Sequence, residues 1–239
     1  MNKSNEPTII KNARIDLTLA LKAANFYELN EGVCNHFSHS LEFNKKKFLL
    51  INPQGIHWSE IKPNMLVLID ESGKPVYKND TVEPTAYFLH LAIHKVCNFR
   101  TVFHTHMPYA TSLCISQNDF STNCNQSAMR FYGSVKRIKK YNGLILNIKE
   151  GMLIAKAIKK NRVTFLQNHG VIVCGNEISH TFDDLYYLER CCYVQNIAQC
   201  TGKKLITINN KLVAKVASQI EGERLQSELH FKALKRIIK

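Results

Sequence analysis

The sequence predicts an α/β protein in which a sheet is covered by helices on both faces, and three observations carry that expectation. Short β-rich runs alternate with helical periodicities along the 239 residues, the pattern of layered strand and helix packing. No internal period repeats and no linker-like stretch divides the chain, so residues 12–239 are expected as one domain behind a flexible tail of residues 1–11. A composition that is 45% hydrophobic and 21% charged, with only 6 Pro and 10 Gly, supports a packed core and excludes collagenous, low-complexity or broadly disordered chains.

Each element follows from local pattern. Leu17, Leu21 and Ala24 keep helical spacing and stop before Gly32, so residues 13–30 are expected as a helix. Strands are expected at 48–51 and 65–70, the second closing in the turn Glu71-Ser72-Gly73-Lys74. Pro84 suits a first helical turn, after which Leu89, Ile93 and Val96 recur at helical intervals up to Asn98. A short β-rich strand at 101–106 follows, and Pro108 opens another helix carrying Ala110 and Leu113. Residues 150–160 read as a helix, 163–166 and 171–174 as strands around Asn168-His169-Gly170, and Ser179 or Thr181 as the cap of a long helix to Cys200.

Charge and cysteine usage narrow the function classes. The formal charge of +13 could attract nucleic acid, but the lysines are spread along the chain, densest over 136–160. They lack aromatic interleaving, zinc-finger spacing or a helix-turn-helix signature, so a solvated face is expected rather than a nucleic-acid groove. The 8 cysteines are scattered without a Cys-x-x-Cys pair, so they are expected as reduced, mostly buried thiols, and Cys114 with Cys124 lacks the pairing of a metal site. No apolar run reaches the ~18–20 residues of a bilayer span, and the N-terminal stretch lacks the apolar centre of a secretory signal. A soluble, cytoplasmic protein with no membrane partner is expected.

The most informative local feature is His104-Thr105-His106, because residues i and i+2 of a strand share a face and bring two imidazoles to one ion. His169 lies 63 residues later, at a break between strands where Gly170 permits close approach. Three histidines with an open position form a catalytic zinc arrangement, whereas structural zinc normally takes four protein ligands. His90 and His94, at i and i+4 on one helix face, are the competing pair. They lack the intervening glutamate of a metalloprotease helix and fit packing or hydrogen bonding behind the site better.

The chain resembles the class II aldolase/adducin family, and most of all its adducin-like bacterial branch, from about Asn12 onward. The matching segments come in the family's order: Gly32 to Ser38 (GVCNHFS), Asn52 to Ile61 (NPQGIHWSEI), Pro84-Thr85-Ala86 through His90, His104-Thr105-His106, Asn168-His169-Gly170 and Tyr186 to Arg190 (YYLER). The resemblance implies a three-layer α/β/α fold around a mainly antiparallel sheet, zinc or another divalent transition metal on His104, His106 and His169, and a homo-oligomer, often a four-fold tetramer with active sites near subunit interfaces. It also implies a small hydroxylated carbonyl or sugar-derived substrate, with metal polarising a carbonyl and stabilising an enediolate while a nearby carboxylate or tyrosine moves protons. Carbohydrate metabolism is the implied setting.

Departures from the family pattern bear on activity. The acidic residue four positions before the histidine matching His90 is Ala86 here, which cannot transfer a proton. Two phosphate-holding serines become Pro84 and Thr85, and the arginine after the Asn-His-x-Ser segment becomes Ser40. Asn35, Gly55 and Thr85 are therefore the expected substrate contacts in a weakened or absent phosphate site. Tyr132, in Arg130-Phe131-Tyr132-Gly133, ranks first as the catalytic proton carrier, ahead of Tyr87, Glu83 and metal-bound hydroxide; Glu189 and Arg190 are expected to be structural or interfacial. The alternative is a non-catalytic, adducin-like binding or assembly module.

Overall fold

A seven-stranded sheet organises the molecule, here in a computed structural model that describes residues 3–238. Its strands are β1 (His36–Phe43), β2 (Lys46–Ile51), β3 (Val67–Ile69), β4 (Thr101–Thr105), β5 (Val135–Ile138), β6 (Val163–Leu166) and β7 (Val171–Gly175). They lie in the order β3-β2-β1-β4-β7-β6-β5, every neighbouring pair antiparallel except β5 with β6. The sheet is thus mixed and mostly antiparallel, as the fold expectation required.

Helices cover both faces: α1 (Thr8–Phe26), α2 (Pro84–Val96), α3 (Pro108–Cys114), α4 (Ile148–Ile158) and α5 (Ile178–Cys200), followed by α6 (Asn210–Gly222) and α7 (Leu225–Ile237). The strand period of two assigns each face its partners. On β7, Val171 and Val173 pack with Leu17 and Leu21 of α1, Leu113 of α3 and Leu188 of α5, whereas Ile172 and Cys174 pack with Leu89 and Ile93 of α2 and Ala155 of α4. Each large apolar side chain so buried contributes about 1.5–3 kcal/mol. Phe37 of β1 stacks on Phe103 of β4 with centroids 3.8 Å apart, holding together the two strands nearest the site.

Several expectations change. The first helix runs over Thr8–Phe26 rather than 13–30, and the flexible tail is corrected for residues 3–11: Ile10 is wholly buried, and the carboxylate of buried Glu6 takes 2.6 Å hydrogen bonds from Arg14 Nε and Nη2. That bidentate pair anchors the chain before the helix begins; the tail's first two residues, Met1 and Asn2, lie outside the described residues. The long helix α5 is capped by neither Ser179 nor Thr181, since its first turn starts from Glu177, and Thr181 Oγ1 donates back to the Glu177 carbonyl at 2.7 Å.

Two strands were not anticipated. β1 buries His36, Ser38 and His39, polar residues that break the apolar alternation by which a strand is recognised. β5 is a half-exposed edge rich in Lys and Arg and reads as surface. Helices α6 and α7 also had no counterpart in the sequence reading. Charge ties both down: Asp183 and Asp184 of α5 pair with Arg130, with Arg224 and His230 at and in α7, and Asp184 also with Arg162, while Glu221 of α6 joins through Arg162 and Arg224. All eight cysteines are free thiols, five of them buried, in line with the reduced state expected. Among the described residues, no helix is long and apolar enough to cross a membrane.

Candidate metal centre

The sheet places two histidines and one turn places the third. His104 is buried near the end of β4, opposite His36 of β1 and Ile172 of β7, and His106 follows one residue past the strand. The turn between β6 and β7 closes when the Leu166 N–H bonds to the Gly170 carbonyl at 2.8 Å, with Asn168 in the left-handed region at φ +55°. That turn aims His169 back at the pair. Gly170 is needed because an added Cβ would lie 2.5 Å from the Thr105 carbonyl oxygen and 2.6 Å from His106 Cδ2. Ligand nitrogens of His104, His106 and His169 all fall within 4.8 Å of one another, and this is the one such cluster of potential ligands among the described residues.

Hydrogen bonds fix the ring tautomers. His104 Nδ1 lies 3.0 Å from the Val171 carbonyl, which can only accept, so this nitrogen carries the proton and Nε2 presents a lone pair. His106 Nδ1 likewise donates to the Glu31 carboxylate at 2.6 Å. The two Nε2 atoms then face each other at 3.2 Å. Two lone pairs at that separation require either a proton or a cation between them, so the donor set fits a divalent metal on imidazole nitrogens. Burial also holds the His104 imidazole well below its ordinary range, its neighbours His169 and His106 adding to the effect, and places His169 at about 4. Both are neutral at physiological pH, as metal ligation needs.

A fourth imidazole flanks the three. His36 is buried with its ring stacked on His104, centroids 5.4 Å apart at 28°, and its Nε2 lies 3.5 Å from Glu83 Oε2. Burial lowers His36, while Glu83 pulls it upward. Glu83 would be raised by burial, but hydrogen bonds from His36, Thr85 and the Ala86 N–H hold its carboxyl at about 2.

The other expected site residues separate into near and far. Asn35 is wholly buried beside the centre; its Oδ1 accepts from the N–H of Glu31 at 2.7 Å and of His106 at 3.5 Å, leaving Nδ2 as a buried donor without a partner among the described residues. Gly55 sits in an open turn after β2 at φ +74°, and the Thr85 hydroxyl donates to Glu83. Tyr132, first choice as proton carrier, has an exposed ring at the end of the 3-10 turn Ser127–Phe131, which packs on α6; no hydrogen bond joins it to the histidines among the described residues. Tyr87 spends its hydroxyl on the Gly73 carbonyl at 2.6 Å. Ala86 is buried among Leu49, Ile51, Val67 and Ile69.

His90 and His94 stand behind the centre, where both bond Ser38 Oγ of β1, at 2.5 and 2.7 Å. Glu189 caps α3 by accepting from the N–H groups of Tyr109 and Ala110, each at 2.8 Å. Sequence reasoning gave no role to Glu31 or His36. Glu31 carries no local signal, since its contact spans 75 positions; His36 was visible only as one letter of a resembling segment.

A cavity of about 290 Å³ opens beside His169, lined by Ile138, Tyr141, Leu144, Leu153 and Gln167. Its walls are mainly apolar.

A model of the Class II Aldolase and Adducin N-terminal domain matches residues 16–196. The chain belongs to the class II aldolase and adducin family. Among relatives, a Pseudomonas aeruginosa protein provisionally named as a class 2 aldolase is 28% identical over 211 residues, covering 87% of this chain and 80% of its own. An adducin-related protein of Schizosaccharomyces pombe is 25% identical over 240 residues, covering 95% and 70%. Among solved structures, an aldolase II superfamily protein from Pseudomonas syringae superposes with a TM-score of 0.88 at 25% identity, covering 98% of this chain and 95% of that one. An L-fuculose 1-phosphate aldolase from Glaciozyma antarctica shares the fold with a TM-score of 0.83 at 20% identity and the same coverage.

Proposed function

We propose that this class II aldolase family member is a zinc-dependent lyase that cleaves a carbon–carbon bond in a small hydroxylated carbonyl or sugar-derived substrate. The observation that carries the reading is the convergence of His104, His106 and His169, with one ring nitrogen of each within 4.8 Å of the others and the Nε2 atoms of His104 and His106 unshared. A divalent cation held there would act as a Lewis acid, withdrawing the charge that develops on a substrate oxygen as the neighbouring bond breaks. The chain's own groups supply the rest. Val171 and Glu31 hold two ligand rings in the correct tautomer, Gly170 lets the His169 turn close on Thr105, and the buried Asn35 amide offers an unshared donor beside His106. The mainly apolar cavity beside His169 has room for a compact substrate.

Assembly as a homo-oligomer, in four-fold form, and a cytoplasmic location belong to the same reading. The basic surface is solvent-facing under it, with no nucleic-acid partner. Metal analysis of the wild type beside His104→Ala and His169→Ala tests the centre: about one zinc per chain is expected, lost in both variants. Undiminished zinc in both removes the centre and the reading. Turnover across a panel of aldoses, ketoses and sugar phosphates tests the chemistry.

A second reading, an adducin-like binding or assembly module without turnover, is favoured by one observation. Ala86 sits in an apolar cluster, so the position that carries the acid in active relatives has become part of the core. Consistent inactivity of folded, zinc-loaded protein across the panel would select it.

A further inference from the structure

Loss of the acid at position 86 leaves α2 with a different carboxylate at its entrance. Glu83 is the residue immediately before Pro84, at the N-cap; its Oε2 accepts from the Ala86 N–H at 2.8 Å and from the Thr85 hydroxyl, and His36 Nε2 approaches the same oxygen at 3.5 Å. The first two contacts are within the helix turn, as for any capping residue. The third is not. It reaches across to β1, to the ring that lies stacked against the metal-ligand candidate His104.

Exposure then separates the two partners. The His36 side chain is 5% exposed and that of Glu83 31%, so the imidazole is part of the floor while the carboxylate stands at an accessible rim. A pure cap has no need of a buried histidine. A carboxylate that meets substrate needs both a fixed position and access to solvent-borne ligand, and Glu83 has both.

We propose that Glu83 is the catalytic carboxylate of this site, moving a proton to and from the substrate carbon next to the carbonyl held at His104, His106 and His169. The inference rests on the lyase reading above and extends it to a residue that the family pattern does not assign. In the step, the carbon–hydrogen bond beside the carbonyl breaks and its proton passes to Glu83. The electron pair becomes the new carbon–carbon double bond, and the carbonyl oxygen takes the negative charge. Return of the proton reverses every change, so no oxidant or reductant is consumed.

The test is exchange of carbon-bound hydrogen for deuterium in heavy water, followed by proton NMR with zinc-loaded protein and dihydroxyacetone or its phosphate. Glu83→Gln keeps an acceptor for the Ala86 N–H while removing the carboxylate's charge and its capacity to take a proton. Exchange should fall by about 10²–10⁴-fold with zinc content and melting temperature unchanged. A role as cap alone predicts exchange within about 3-fold of wild type, which overturns the proposal. Should Glu83→Gln not fold, Glu83→Asp keeps charge and cap but shortens the reach by one methylene; it must lose at least about 10-fold with zinc intact, and full exchange there is equally fatal.

Calorimetry with glycolohydroxamate in buffers of different ionisation enthalpy gives a readout independent of turnover. The wild type should retain on Glu83 the proton that the hydroxamic acid loses on binding, whereas Glu83→Gln should release about one proton per site to buffer. Equal release from both proteins refutes Glu83 as the acceptor. A wild type that exchanges neither ketone but retains that proton defeats the lyase reading while leaving Glu83 as the proton-accepting group.

Discussion

Replacing Gly170 by alanine is the sharpest test of how the turn between β6 and β7 builds the centre. The added Cβ would lie 2.5 Å from the Thr105 carbonyl oxygen and 2.6 Å from His106 Cδ2. Carbon and oxygen settle no closer than about 3.3 Å even in favourable contacts, so the turn or the His106 ring must retreat by roughly 0.8 Å. Metal–ligand distances tolerate only about 0.2 Å. The same methyl therefore displaces His106 or the turn carrying His169, and zinc affinity should fall about 10–100-fold, with an overpacking cost of about 1–3 kcal/mol. Chelator-competition titration measures the first effect and urea unfolding of the metal-free protein the second. Gly151→Ala is the matched control: its Cβ would sit 2.5 Å from the Phe88 carbonyl oxygen where α4 meets α2, crowding a helix contact without touching a ligand histidine. It should lose comparable stability and keep its zinc. If Gly170→Ala binds zinc within about 3-fold of wild type, the close approach does not set the ligand geometry and the reasoning fails.

Glu31→Ala removes the acceptor 2.6 Å from His106 Nδ1 and should weaken zinc binding about 10-fold without unfolding the protein; unchanged affinity in the same titration would show that the tautomer needs no such support. Burial places His39 at about 3 and His94 at about 4, below their ordinary 6.5, so the unfolded chain takes up protons first as pH falls. Stability in urea should accordingly be full above about pH 6.5 and decline down to about pH 3–4, the decline shrinking in His39→Gln if that ring contributes. Asp184→Asn removes the buried carboxylate that Arg224, 2.8 Å from its Oδ1, shares with Arg162 and leaves both arginines only the exposed Glu221; a loss of about 3 kcal/mol is expected, and a change below about 0.5 kcal/mol would show that the buried carboxylate does not hold α7 in place.

How much was legible in the sequence depended on the range of the interaction. The helix opened by Pro84, the strands around Asn168-His169-Gly170 and the helix opened by Pro108 all appear where expected, because proline, glycine and short apolar periods act within a few residues. β1 was invisible for the opposite reason. Its buried His36, Ser38 and His39 are stable only because Ser38 meets His90 and His94 of α2 and His39 meets Thr101 of β4. No local rule predicts that polar residues will find partners more than 50 positions away. Likewise Tyr132, chosen from a resembling segment, proves to end a turn packed on α6, while Glu83, ranked below it, faces His36.

The sequence by itself determined the fold family, the alternation of layers and the three metal-ligand candidates, because each is written in short motifs whose chemistry is local. Only the tertiary structure decided which nitrogens of His104 and His106 are free, that Ala86 is sealed into an apolar cluster and that the partly exposed Glu83 carboxylate faces buried His36. Those facts depend on distances between segments brought together by the sheet, and such distances are properties of packing rather than of residue order.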